Sequence, residues 1–144
     1  MAYTLKAEGS NPFNLNEETL KTLKFENTSA DRTSSSARAR DTYQTLKVTG
    51  RIRSDFGAAA KDETIGTAKW SLVPAVLSTA YQKITATAVA AGQTTRKYEF
   101  SQGFIVAYSE KFTDQSGVGS FSLTIRQKKD QLDQVMVSGG YAAE

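Results

Sequence analysis

The chain has 144 residues and a formal net charge of +3, and it contains neither cysteine nor histidine. That length suits one domain over residues 1–144, with a core that needs no disulfide or metal to hold it. The missing Cys and His remove thiolate nucleophiles, disulfide staples, cysteine zinc sites, the commonest general base and the commonest metal ligand together. An enzyme would have to work with carboxylates, Lys, Tyr or Ser alone.

The sequence holds no apolar run of the roughly 18 residues that a membrane-crossing helix needs. Its start, Met1-Ala2-Tyr3-Thr4-Leu5-Lys6, lacks the charged and then apolar pattern of a signal peptide. Synthesis and folding in the cytoplasm are the expectation, with any export by another route.

In chain order, Tyr3, Leu5 and Ala7 mark a short first strand, and residues 20–26 a second with Leu23 and Phe25 inward. Residues 27–40 run through Ser, Thr, Ala, Asp and Arg with no apolar periodicity, which reads as a long extended loop. Next comes a half-buried strand. Leu46, Val48, Gly50 and Ile52 share one face, and Thr45, Lys47, Thr49, Arg51 and Arg53 the other. One helix is expected with Asp62 as N-cap, Ile65, Ala68, Lys69 and Leu72 at helical spacing, and Pro74 as its stop. Trp70 is placed beside it, against the sheet.

Residues 81–90 and 96–100 read as strands joined by a turn at Ala91-Gly92-Gln93, with Tyr98 and Phe100 on one face of the second. A bend at Ser101-Gln102-Gly103 leads to Phe104-Ile105-Val106-Ala107-Tyr108, apolar on both faces and therefore expected to be covered on both. A loop over residues 112–119 joins it to Phe121, Leu123 and Ile125, which alternate with polar residues, so the pair forms an antiparallel hairpin. Val135 and Val137 suggest a last strand. Seven or eight short strands and one helix define a mostly β chain, a small antiparallel barrel or a two-sheet sandwich.

No catalytic residue, cofactor site or metal set stands out. Glu17-Glu18 and Asp62-Glu63 read as acids near turn or helix starts. Gly117-Val118-Gly119 lacks the strand-to-helix context of a dinucleotide loop, Asn27-Thr28-Ser29 lacks a secretory context, and Ser34-Ser35-Ser36 has no base to activate it. The basic residues are more informative. Asp31, Arg32, Arg38 and Arg40 lie on the long loop, Lys47, Arg51 and Arg53 on one strand face, and Lys128-Lys129 after a later strand. Arginines on an exposed arm serve a protein interface or a polyanion, but few aromatics remain outside the expected core to stack bases.

From Ala68 to Tyr141 the chain resembles the tube-forming Hcp proteins of type VI secretion and the tubes of contractile phage tails. The resemblance is carried by Ala68-Lys69-Trp70-Ser71-Leu72-Val73-Pro74, by residues 93–100, by Phe104-Ile105-Val106-Ala107-Tyr108-Ser109-Glu110 and by residues 117–129. It implies two packed sheets with a flanking helix, six-membered rings stacked into a hollow tube, and a loop over residues 27–40 that reaches the adjacent ring. The implied partners are other copies, sheath and baseplate proteins, and DNA or effector cargo in the channel. The wider group also holds tube caps and baseplate parts, and a nucleic-acid-binding module is the other reading of the arginines.

Overall fold

The computed structural model describes residues 1–28, 43–52, 64–74, 76–114, 119–127 and 135–142. Among these, nine strands, one α-helix and a short 3-10 turn at Ser78–Ala80 follow in order: β1 (Ala2–Glu8), β2 (Phe13–Leu15), β3 (Leu20–Thr28), β4 (Tyr43–Ile52), α1 (Thr64–Ser71), the 3-10 turn, β5 (Gln82–Ala90), β6 (Gln93–Lys111), β7 (Gly119–Gln127), β8 (Met136–Ser138) and β9 (Tyr141–Ala142). Every strand pairing is antiparallel. The main path runs β2-β1-β5-β6-β7-β4-β3 without closing, and β8 and β9 also pair with β6. The mostly β expectation holds, and the open path makes the molecule a sandwich rather than a closed barrel.

Strand β6 makes it a sandwich. The two segments expected on either side of a bend are one strand of 19 residues. Its leading half pairs with β5 as far as Gly103↔Gln82, and its trailing half pairs with β7 from Gly103↔Gln127 onward. Gly103 is therefore the pivot. A Cβ there would lie 2.8 Å from Ile84 Cγ1 and 3.0 Å from Ile125 Cγ2, so only a bare backbone lets both layers close on this point. The first layer holds β2, β1, β5, the leading half of β6, and β8 with β9; the second holds the trailing half of β6, β7, β4 and β3.

Alternation puts Leu5, Ala7, Leu15, Ile84, Ala86 and Phe100 of the first layer against Leu20, Leu46, Val48, Phe121, Leu123 and Ile125 of the second in one buried cluster. Phe25 crosses between the layers and stacks on Tyr98, ring centroids 4.6 Å apart. The expected turn after β5 is a two-residue loop, with Ala91 at φ 52° and Gly92 at φ 75°. Two successive left-handed residues match the right-handed twist of the flanking strands.

Two expectations need correcting. Helix α1 buries Thr64, Thr67 and Trp70, whereas Ile65 and Leu72 are 57% and 82% exposed. Trp70 decides the rotation. Its ring packs 5.7 Å from Phe13, and its Nε1 donates to the Ala80 carbonyl at 2.8 Å, which ties this face of the helix inward. The N-cap assigned to Asp62 lies outside the described residues. Secondly, the trailing half of β6 is not covered on both faces: Val106 is 42% exposed at a bulge between Ile105 and Ala107. The strand β2 and the short β9 were not expected from sequence, whereas β8 falls on the expected Val137.

Candidate assembly interface

The strand edges differ between the layers. Since Gly103 pairs with Gln82 on one side and Gln127 on the other, β5 and β7 occupy opposite edges of β6. The β5 partner stops there. Among the described residues, 104–111 carry no partner on that edge, and β3 has none opposite β4. The second layer thus ends on two long open strands, one on each side. The first layer ends on β2 and β8 of three residues each and β9 of two. Short strands expose little ladder to a neighbour, whereas long ones template pairing.

The outward faces differ in charge. On the first layer, Lys6, Lys83 and Lys97 stand with Glu8 and Glu99, and Lys6 Nζ reaches Glu8 at 3.0 Å and Lys97 Nζ reaches Glu99 at 3.8 Å. The Lys6 ammonium, hydrogen-bonded to Glu8, holds that carboxyl below its ordinary value. On the second layer, among the described residues, Lys24, Lys47, Arg51, Lys111 and Arg126 share the outer face with one carboxylate, Glu26, amid Thr22, Thr49, Ser120, Ser122 and Thr124. Glu26 takes Lys24 at 2.8 Å and Lys47 at 3.6 Å, and the Lys24 bond lowers its pKa. Arg126 lies 4.4 Å over the Tyr43 ring.

Of the basic strand residues expected from sequence, Lys47 and Arg51 sit on this face of β4 as alternation requires. Arg53, Lys128 and Lys129 lie outside the described residues, as do Asp31, Arg32, Arg38 and Arg40 of the long loop. Sequence reading did not assemble Lys24, Glu26, Lys111 and Arg126 with Lys47. Their shared face follows from the registers Lys24↔Lys47, Thr45↔Arg126 and Lys111↔Ser120, which join strands far apart in the chain. Among the described residues, no helix is long and apolar enough to cross a membrane.

No protein-family model matches the sequence, and no curated protein matches it either. Solved structures do share the fold. A chain from the six-fold symmetrised baseplate of the anti-feeding prophage is 10% identical, with a TM-score of 0.56 over 95% of this chain and 92% of that one. A type six secretion system protein is 8% identical, with a TM-score of 0.57 over 97% of this chain and 83% of that one. A chain from the sheath/tube terminator of an extracellular contractile injection system, 11% identical over 94% of this chain and 92% of that one, has a TM-score of 0.47. The two packed sheets with a flanking helix that the sequence resemblance implies are the fold observed, and the baseplate chain and the type six secretion system protein share it.

Proposed function

We propose that this chain is a non-enzymatic structural subunit of a contractile injection apparatus, and that its second layer joins neighbouring copies edge to edge into a ring. The observation that carries this reading is a pair of long strands, β3 and residues 104–111 of β6, that each keep one edge open among the described residues, on opposite sides of one four-stranded layer. Pairing the trailing edge of β6 with β3 of the next copy is a heterologous contact, and such contacts close into rings when the rotation between copies allows. Each ring then satisfies every edge of that layer.

The widths of the layers set which one lies inside. Sandwiched layers sit about 10 Å apart, so in a six-membered ring the outer layer gains about 10 Å of arc per copy, or about two strand spacings. The five-strand-wide first layer fits outside and the four-strand second layer inside, whereas the reverse would crowd the wider layer. The basic, hydroxyl-rich face of the second layer then lines the channel. The first layer, with α1, faces outward to sheath or baseplate proteins. Asn27 and Thr28, expected at the start of the long loop, instead end β3 in register with Gln44 and Tyr43. Stacked rings make a tube for DNA or effector cargo, with the segment that follows β3 reaching the adjacent ring through Asp31, Arg32, Arg38 and Arg40. The baseplate chain that shares the fold supports a second version of the same role, a single ring in a baseplate or cap.

The absence of native cysteine allows a clean test. Lys24→Cys on β3 is combined in turn with Ala107→Cys, Ser109→Cys and Lys111→Cys on β6, all on the outer face. Rings are imaged by negative-stain electron microscopy and oxidised. At least one combination should give intermolecular ladders on a non-reducing gel, because paired strands bring Cα atoms within disulfide reach. Asn14→Cys with Ser138→Cys, on the first layer's edges, should remain monomeric. Rings that cross-link through the first layer and never through the second would reject the assignment.

A further inference from the structure

Among the described residues, some cations along the second layer's outer face have a side-chain partner and those towards Arg51 have none. Arg126 is held over Tyr43, and Lys24 and Lys47 share Glu26. Beyond them, where β4 reaches Arg51, the pairings Arg51↔Ser120 and Lys111↔Ser120 set up a row across three strands, Arg51, Ser120, Lys111. The next row back is Thr49, Ser122, Ser109. Lys21, the extra residue at the bulge between Leu20 and Thr22, brings a third cation in from β3. Lys21, Lys111, Thr49, Ser109, Ser120 and Ser122 line a shallow groove of about 330 Å³ whose lining contains no carboxylate, and Arg51 stands in the row beside it. Among the described residues no acid pairs with Lys21, Arg51 or Lys111.

We infer that this groove is a binding site for phosphate groups. The spacing fits: strands about 4.8 Å apart put the Arg51 and Lys111 backbones about 10 Å apart across Ser120, and long side chains from both sides close over a tetrahedral anion between them. The chemistry fits as well. Arg, Lys and hydroxyl side chains are the groups that contact phosphate oxygens, and charge-assisted hydrogen bonds are the strong ones. Two lysines lining the groove, with Arg51 in the row beside it, exceed what a single carboxylate neutralises, whereas a phosphate presents more charge and more acceptor oxygens. The hydroxyls of Ser120 and Ser122 stand on a strand paired on both sides, so they need little ordering to donate.

The inference concerns the chain itself and does not depend on ring formation, so it is tested on the full-length protein at concentrations where it is dispersed. Calorimetric titration with inorganic pyrophosphate at low salt should show binding, weakened about tenfold or more in the Lys21→Ala/Lys111→Ala double variant. Ser120→Ala, which removes a donor without touching charge, should weaken it less. The control pair Lys6→Ala/Lys83→Ala, on the first layer, should leave it unchanged. A short DNA duplex separates the two sources of phosphate. If a nucleic-acid backbone is the ligand, duplex affinity falls steeply with salt, and the groove double variant lowers the slope of log affinity against log salt by about 2. If small free phosphates are the ligand, pyrophosphate binds and the duplex does not respond to the groove variants. No pyrophosphate binding at millimolar concentration, or equal weakening by groove and control pairs, overturns the site while leaving the ring assignment standing.

Discussion

The two layers of the sandwich press on the same core from opposite sides, yet they end differently. The first layer is finished within the chain. Its edges are two- and three-residue strands, its outer charges alternate in sign, and Trp70 fastens α1 to it through Phe13 and the Ala80 carbonyl. The second layer is left unfinished, with long edges on both sides and a surplus of cations outside. One layer carries its devices against edge pairing and the other lacks them among the described residues, so the fold places its protected edges and its open edges on opposite sides of a single core.

The largest expected effect breaks the first side of that comparison. Trp70 is 1% exposed, so Trp70→Ala opens a cavity and strands the Ala80 carbonyl; the expected loss is about 3–5 kcal/mol in urea unfolding. Below the new midpoint, ring formation should persist, because the second layer's edges are untouched. A variant that stays folded yet never forms rings would show that the helix acts in assembly as well. A smaller effect tests the junction. In Gly103→Val the new Cβ meets Ile84 and Ile125 at 2.8 and 3.0 Å, and overpacking of this kind costs about 1–3 kcal/mol. Because the strain falls where β6 passes from one layer to the other, the same substitution should also disturb ring formation, which Trp70→Ala should not.

How far the sequence carried the reading depended on whether the deciding contact was local. Leu46 and Val48, and Phe121, Leu123 and Ile125, announce inward faces by their alternation, and all five are buried. Lys47 and Arg51 were placed on an outer face for the same reason. The helix was placed correctly and rotated wrongly, since the acceptor for Trp70 lies ten residues on and two threonines fill the buried positions that apolar residues usually take. β2 is too short for any period to register. The joining of two segments into β6, the open edges and the Arg51-Ser120-Lys111 row are properties of pairing between distant strands, and no local pattern encodes which strands become neighbours.

The smallest expected effect concerns how the second layer's charge is tempered along its length. Lys24, hydrogen-bonded to Glu26, holds that carboxyl below its usual 4.5, and Lys47 adds to the lowering while partial desolvation opposes it. The sign follows from linkage. A carboxyl lowered on folding contributes stability that is present in full above its unfolded value and is lost as pH falls through the lower folded one. The pair is exposed, so the gain in stability is small and the titration itself is the better readout. By NMR, the Glu26 side chain should titrate below an ordinary glutamate in the wild type and move back up in Lys24→Ala, and less far in Lys47→Ala, in keeping with the 2.8 and 3.6 Å separations. An equal return in both variants would mean that Glu26 is shared evenly between β3 and β4. The engaged middle of the face would then neutralise Lys24 and Lys47 alike, and the contrast with Lys21, Arg51 and Lys111 beyond it would be sharper still.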